Sequence, residues 1–132
     1  MPAITDLSEL LKHMKPLLNT GEYVFCSIAS RAQLGAVEPL GSFRESEGLT
    51  VIVEREQAQA LGLNFDYVAA WLTLEVHSAL AAVGLTAAVA KALADAGISC
   101  NVIAGLYHDH LFVDHAQGAR AQQVLQQLSE GQ

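Results

Sequence analysis

The second half of the chain carries the clearest alternation of apolar and polar positions. Leu72, Leu74 and Val76 alternate with other residues, which places them on one face of a predicted strand. Later apolar positions recur every three or four residues, as on a helix, and Gly97 suits the left-handed position after its end. The predicted elements of this half are a strand at 71–77, a helix at 85–96, strands at 98–104 and 110–113, and a helix at 121–128.

The first half shows a weaker version of the same pattern. Asp6 with Glu9 three residues later has the form of a capping box, and Pro16 is predicted to end the helix that it opens. Residues 19–21 are predicted to form a turn. The predicted elements are a helix at 6–14, strands at 23–28 and 49–53, a short helix at 55–61, and an irregular strand near Phe43.

The order of these elements predicts the fold class. The second half is β-α-β-β-α, and the first is α-β, loop, β-α, so each has the split βαβ character of a ferredoxin-like unit. We therefore expect an α+β protein of two tandem βαββα units, with helices on one face of antiparallel sheets. The first unit is assigned to residues 1–66 and the second to residues 67–132.

Composition narrows the possible partners. The hydrophobic fraction is 52%, the charged fraction is only 16%, and the net charge is −7 without any basic run. A nucleic-acid or anionic-membrane partner requires a cationic surface, so we expect neither. Few charges are available to cover the second face of each sheet, and aromatic residues lie on that face near Phe25 and Trp71. This predicts a homo-oligomer that uses a sheet edge or a sheet face.

The same sequence favours the cytoplasm. No apolar stretch is long enough to cross a bilayer, and residues 1–6 lack the features of a signal peptide. Cys26 and Cys100 each lie within an apolar strand-like run, which favours buried, reduced thiols over a disulfide.

Three short runs in the second half resemble the ACT domain, a small ferredoxin-like module that senses amino acids in metabolic enzymes and regulators. They are Val83-Gly84-Leu85-Thr86, Leu93-Ala94-Asp95-Ala96-Gly97-Ile98-Ser99 and Asp109-His110-Leu111-Phe112-Val113. The whole chain is similar to small stand-alone bacterial proteins that have two ACT-like halves and no assigned function. A looser similarity extends to the paired ACT-like domains of eukaryotic arginine sensors. The resemblance implies a regulatory protein with a small-molecule ligand, an amino acid or a related metabolite.

The junction before the predicted helix at 85–96 is the main candidate site. Gly84 allows close backbone approach, and the helix start offers unpaired N–H groups at the positive end of its dipole, which suits a carboxylate or phosphate. ACT domains receive their amino-acid effector at this junction, so the resemblance implies ligand-binding roles for Val83, Gly84, Leu85 and Thr86. The alternative is that Gly84 only lets the helix pack tightly on the strand.

Three other residues are candidates for ligand binding. The resemblance to the sensors implies that Asp109 binds the ligand's amine, and Asn101 on the neighbouring strand offers an additional hydrogen bond. The family match around residues 47–50 implies that Glu47 serves a pocket in the first half. For each residue the alternative is a solvated hairpin or loop position.

His108-Asp109-His110 suggests a different class of function, a small enzyme or a metal-binding protein. His108 and His110 share one face of a strand, so two ligands to a metal are geometrically possible, but the sequence defines no third ligand. No catalytic residue, cofactor or metal is assigned, since neither a nucleotide fingerprint nor a nucleophile–base motif is present. A third hypothesis is a structural module whose sheet edges pair with a partner.

Overall fold

The computed structural model describes residues 6–76 and 84–132. In these ranges the strands are β1 (Lys15–Leu18), β2 (Tyr23–Ile28), β3 (Gly41–Glu45), β4 (Gly48–Glu54), β5 (Val68–Glu75), β6 (Cys100–Ala104) and β7 (Asp109–Asp114). The α-helices are α1 (Leu7–His13), α2 (Arg55–Ala60), α3 (Leu85–Asp95) and α4 (Gly118–Glu130), and short 3-10 helices span Arg31–Leu34 and His115–Gln117. Within the described ranges, no helix has both the length and the apolar character needed to span a membrane.

The chain forms two compact units. Unit 1 contains Met1–Thr20 and Ala70–Gln132, and unit 2 contains Gly21–Ala69. The first helix and strand thus belong with the second half of the sequence, and β5 changes unit after Ala69. The predicted boundary between residues 66 and 67 divides the chain into two continuous stretches of sequence, whereas the two units are defined by contacts within the fold. That boundary stays a prediction.

In unit 1 the strand order is β1-β5-β7-β6. The elements β5, α3, β6, β7 and α4 form the predicted βαββα unit, and β1 adds a fourth strand antiparallel to β5. Helices α1, α3 and α4 pack on the sheet because alternate residues of β5 and β7 face them. The core residues at this interface include Leu10, Leu72, Leu74, Val89, Leu93, Leu111, Val113 and Leu125.

Strand β1 is an element that the sequence did not predict. Pro16 was expected only to end the first helix, but it lies within β1, opposite Leu74. Proline removes a ladder donor, so it is tolerated where a strand lies at an edge. Among the described residues β1 pairs only with β5, which explains why Pro16 fits there.

Unit 2 has the strand order β3-β4-β2, followed by the first two residues of β5, Val68 and Ala69, opposite Val24 and Tyr23. Strand β2 has the predicted bounds, and β3 replaces the irregular strand expected near Phe43. The core contains Val24, Cys26, Ile28, Leu34, Val51, Val53 and Ala58. Antiparallel ferredoxin-like sheets in both units confirm the predicted fold class.

Cys26 and Cys100 are free thiols, and burial raises the pKa of each.

Candidate functional site

The start of α3 offers backbone donors without a side-chain cap. Gly84 is the N-cap residue, and its φ of 102° and ψ of −17° lie in the left-handed region that favours glycine. The first backbone bond of the helix joins Ala88 N–H to the Gly84 carbonyl, so the N–H groups of residues 85–87 have no acceptor within the helix. These donors lie at the positive end of an 11-residue helix.

The residues around this helix start differ in exposure. The Leu85 side chain is buried in the core, whereas Thr86 is exposed. Val83 and His77, both parts of the predicted junction, lie outside the described residues. A Cβ added to Gly84 would lie 3.1 Å from Leu7 Cδ2. The close packing that Gly84 permits is therefore against α1 rather than against a strand.

Asp109 is the first residue of β7 and is almost completely buried, with 7% of its surface exposed. It has the same phase as Leu111 and Val113, so it lies on the sheet face covered by helices. Among the described residues its carboxylate accepts no hydrogen bond and forms no ion pair. Burial raises the pKa of Asp109, although His110 and His108 act in the opposite direction. A buried carboxylate without a donor carries a desolvation cost that a cationic ligand would offset.

The structure does not bring Asn101 and Glu47 to Asp109. Asn101 lies opposite Phe112 and Asp109 lies opposite Ala104, so the two polar residues are on opposite faces of the β6–β7 pair. Glu47 belongs to unit 2, where it is exposed in the turn between β3 and β4. The Ser46 hydroxyl donates to it at 2.8 Å and is the main reason that its pKa is lowered.

His110 takes part in a polar network on the sheet face opposite the helices. Its Nδ1 accepts from Trp71 Nε1 at 3.1 Å and lies 3.3 Å from Thr73 Oγ1. Asn19 extends the network by donating to Thr73 Oγ1 at 3.0 Å. Because an indole N–H can only donate, His110 Nδ1 is unprotonated and the neutral ring carries its proton on Nε2. Burial is the main cause that lowers the pKa of His110.

Only part of this network can be predicted from the sequence. Strand alternation places Trp71 and Thr73 on the face opposite Leu72 and Leu74, which predicts that they lie together. It does not predict that His110 from β7 meets them, since that depends on strand order. Asn19 was expected only as a turn residue, and its contact spans 54 positions of sequence.

The His108-Asp109-His110 run does not assemble a metal site in the described part of the chain. Asp109 and His110 point to opposite faces of β7, and His110 Nδ1 is occupied by Trp71. His108 Nδ1 is buried without a hydrogen-bond partner. Across residues 6–76 and 84–132, no three His, Cys, Asp or Glu side chains are arranged to hold a metal ion.

Two family models match the chain, and both describe an ACT domain. One matches residues 2–70 and the other matches residues 67–127. No curated protein matches the chain.

Solved structures extend this similarity. A protein of unknown function from Vibrio cholerae, described as a possible transport protein, is 47% identical, with a TM-score of 0.85 over 93% of this chain and 95% of that chain. A protein from Agrobacterium tumefaciens is 16% identical, with a TM-score of 0.66 over 88% of this chain and 89% of that chain. The regulatory subunit of aspartate kinase from Thermus flavus is 9% identical, with a TM-score of 0.64 over 86% of this chain and 96% of that chain. The last two similarities show the fold alone.

Proposed function

Since the chain belongs to the ACT domain family, we propose that it is a small-molecule regulatory protein that binds an α-amino acid in unit 1. It acts in the cytoplasm, through its own assembly as a homo-oligomer or through a partner protein. The fold shared with the regulatory subunit of aspartate kinase is consistent with a regulatory role.

The observation that carries this proposal is the state of Asp109. Asp109 is 7% exposed as a residue, and its carboxylate forms no ion pair among the described residues. A carboxylate in such a position carries a desolvation cost that an opposite charge would offset. The ammonium of an α-amino acid supplies both the opposite charge and hydrogen-bond donors.

The start of α3 supplies the complementary half of the site. An α-amino acid carries a carboxylate beside its ammonium, and the backbone N–H groups of residues 85–87 are suited to such an anion. Gly84 has no side chain that would obstruct this approach. Leu85 and Thr86 therefore contribute backbone donors, and the Leu85 side chain remains in the core.

A thermal-shift screen of the common amino acids tests this proposal. Each hit is compared with an analogue that lacks the amine and with an analogue that lacks the carboxylate. At 100 times its dissociation constant, a true ligand raises the free energy of unfolding by about 2.7 kcal/mol. Both analogues are expected to bind more weakly than the parent amino acid.

Nucleotides and divalent metal ions form the other arms of the screen. Stabilisation by a metal ion alone, without any amino acid, would favour the metal-binding alternative instead. An amino acid that binds no better than its deaminated analogue would contradict the role assigned to Asp109.

A further inference from the structure

The Nδ1 atom of His110 lies beside two groups with different hydrogen-bonding capacity. Trp71 Nε1 is 3.1 Å away and Thr73 Oγ1 is 3.3 Å away. An indole N–H can only donate, whereas a hydroxyl can also accept. The neutral ring accepts from Trp71. Once Nδ1 is protonated it can no longer accept, and it donates to Thr73 Oγ1 instead. The two protonation states of His110 therefore have different partners.

The surrounding network accommodates both states. Thr73 Oγ1 already accepts from Asn19 Nδ2 at 3.0 Å, and a hydroxyl oxygen has two acceptor lone pairs, so one remains for His110. Asn19 Nδ2 also donates to the Trp71 carbonyl at 3.3 Å, a bond that the exchange leaves in place. Because both partners are already within reach of Nδ1, the exchange needs no large movement of the ring.

His110 directly follows Asp109, the residue to which the ligand's ammonium is assigned. The two side chains point to opposite faces of β7. Each charge nevertheless acts on the pKa of the other group, since Asp109 raises the pKa of His110 and His110 lowers the pKa of Asp109. A positive charge on His110 therefore offsets part of the negative potential that an ammonium would meet at Asp109.

The other groups around His110 leave this coupling in place. On the described elements beside it, the side chains that face His110 are uncharged: Trp71, Thr73, Asn19 and Ile103. The titratable groups that act on His110 are its strand neighbours His108 and Asp109. On the same sheet face, Lys15 of β1 and Glu75 of β5 lie opposite each other and are exposed, so solvent screens their charges.

We propose that this exchange of hydrogen-bond partners makes ligand binding in unit 1 sensitive to pH: the chain with neutral His110 binds the amino acid tightly, and the chain with protonated His110 binds it weakly. The inference rests on the proposed amino-acid site and adds its regulation. Coupling between two binding events is reciprocal, so binding of the ammonium at Asp109 also favours release of the proton from His110.

Isothermal titration calorimetry at about pH 7 and about pH 5 tests the coupling. The probes are the common α-amino acids, used one at a time. Between these pH values, the dissociation constant is expected to rise about threefold to tenfold more in the wild type than in His110→Asn. Asparagine offers Trp71 an oxygen acceptor but does not titrate. Comparing the two chains with the same probe removes the titration of the probe, of Asp109 and of His108.

His13→Asn is the matched control. It is the same substitution in unit 1, at a histidine on α1 whose side chain is 55% exposed and paired with Glu9 at 3.2 Å. The pH dependence of binding in this variant is expected to equal that of the wild type.

A second measurement tests the exchange of partners without any amino acid. In an NMR titration of the His110 ring nitrogens, Thr73→Val is expected to move the protonation midpoint of His110 to lower pH by about 0.5–1 pH unit, because the charged ring loses its acceptor. Thr73→Ser keeps the hydroxyl and is expected to titrate as the wild type does. The Trp71 indole signal is expected to follow the same midpoint.

Each outcome assigns a different failure. Absence of amino-acid binding at both pH values would overturn the proposed function, and the regulation with it. Binding whose pH dependence is the same in the wild type and in His110→Asn would overturn the regulation alone. A midpoint of His110 that is equal in Thr73→Val and Thr73→Ser would overturn the exchange of partners.

Discussion

The two ACT units differ most at the segment after their first strand. In unit 1 the long helix α3 begins at Gly84 without a side-chain cap. In unit 2 the corresponding segment is a 3-10 helix of four residues, and Ser30 and Gln33 form a complete capping box. Ser30 Oγ accepts from Ala32 N–H, and Gln33 Oε1 accepts from the N–H groups of Ala29 and Ser30. Unit 2 thus satisfies with its own side chains the kind of donors that unit 1 leaves uncapped.

The hairpins of the two units also differ in the residue that begins their second strand. Asp109 begins β7 in unit 1, and Gly48 begins β4 at the equivalent position of unit 2. A Cβ on Gly48 would lie 2.9 Å from Ser27 Oγ and 3.0 Å from the Ile28 carbonyl oxygen. No side chain fits there, so unit 2 has no counterpart of the buried carboxylate. This difference is the reason that the proposed binding site is assigned to unit 1 rather than to unit 2.

The largest expected effect separates Asp109 from Glu47. Asp109→Asn removes the charge that meets the ligand's ammonium, and a hydrogen bond to a charged group contributes about 1.5–3 kcal/mol. Affinity for an amino acid, measured by isothermal titration calorimetry, is therefore expected to fall by about tenfold to a hundredfold. Glu47→Gln is the matched control in unit 2 and is expected to leave affinity unchanged.

The same two variants also differ in stability. Asp109→Asn removes a charge that forms no ion pair and is expected to raise the free energy of unfolding by about 1 kcal/mol. Such a gain is typical of a binding residue, because binding sites commonly sacrifice stability for function. Glu47 is exposed, so Glu47→Gln is expected to have no measurable effect in urea denaturation. A loss of affinity in Glu47→Gln with none in Asp109→Asn would transfer the site to unit 2.

The next largest effect is a loss of stability at Gly84 in unit 1, which is compared with Gly62 in unit 2. Both glycines have a positive φ. Gly84→Ala introduces a left-handed alanine whose Cβ lies 3.1 Å from Leu7 Cδ2, and we expect a loss of about 1–3 kcal/mol. Gly62 in unit 2 has a φ of 69° and no atom within 4 Å of an added Cβ, so Gly62→Ala is expected to cost only about 1 kcal/mol.

A double variant assigns the origin of the Gly84 effect. If contact with Leu7 contributes, Leu7→Ala combined with Gly84→Ala is expected to cost less than the sum of the single changes in urea denaturation. Strict additivity would instead assign the whole cost to the backbone conformation.

Local sequence patterns predicted the helices and strands of this chain better than they predicted which distant parts of the sequence contact each other. Period and capping identified α1, β2, α3 and β7, because those signals act over a few residues. Strand β1 was missed because a four-residue edge strand that contains Pro16 has no local signature. Its assignment depends on pairing with β5, more than 50 positions away.

The candidate site shows the same limit. The charge of Asp109 and the freedom of Gly84 were visible in the sequence, and the family resemblance implied their roles. The faces of Asn101 and Asp109 were not visible, because they depend on the register of β6 against β7. The self-capped start of the 3-10 helix in unit 2 also required the structure, since Ser30 and Gln33 form a capping signature without a following apolar helix.

A smaller effect is expected from the cap in unit 2. Ser30→Ala removes the acceptor for Ala32 N–H, and loss of an N-cap costs about 1 kcal/mol. Amino-acid affinity is expected to stay at the wild-type value, since the changed residue lies in unit 2. A decrease in affinity without unfolding would show that unit 2 takes part in binding.

The smallest effect concerns pH and again distinguishes the units. All five histidines belong to unit 1, and none lies in residues 21–69. Burial, and then the charge of His108, lower the pKa of His110 below its ordinary value of 6.5, and Asp109 only partly opposes them. As the pH falls below 6.5, the unfolded chain takes up this proton before the folded chain does. The free energy of unfolding therefore decreases, and the contribution of His110 is complete only above that pH.

Urea denaturation at about pH 8 and about pH 5 measures this dependence. His110→Asn is expected to flatten this dependence. The fluorescence of Trp71, the one tryptophan, is expected to change with pH only in the chain that retains His110, because a protonated Nδ1 no longer accepts from the indole. Asp109 acts with the opposite sign, since its raised pKa lets the folded chain take up a proton first as the pH falls. Both measurements are therefore made in an Asp109→Asn background. Equal pH dependence with and without His110→Asn would assign the effect to the other histidines of unit 1.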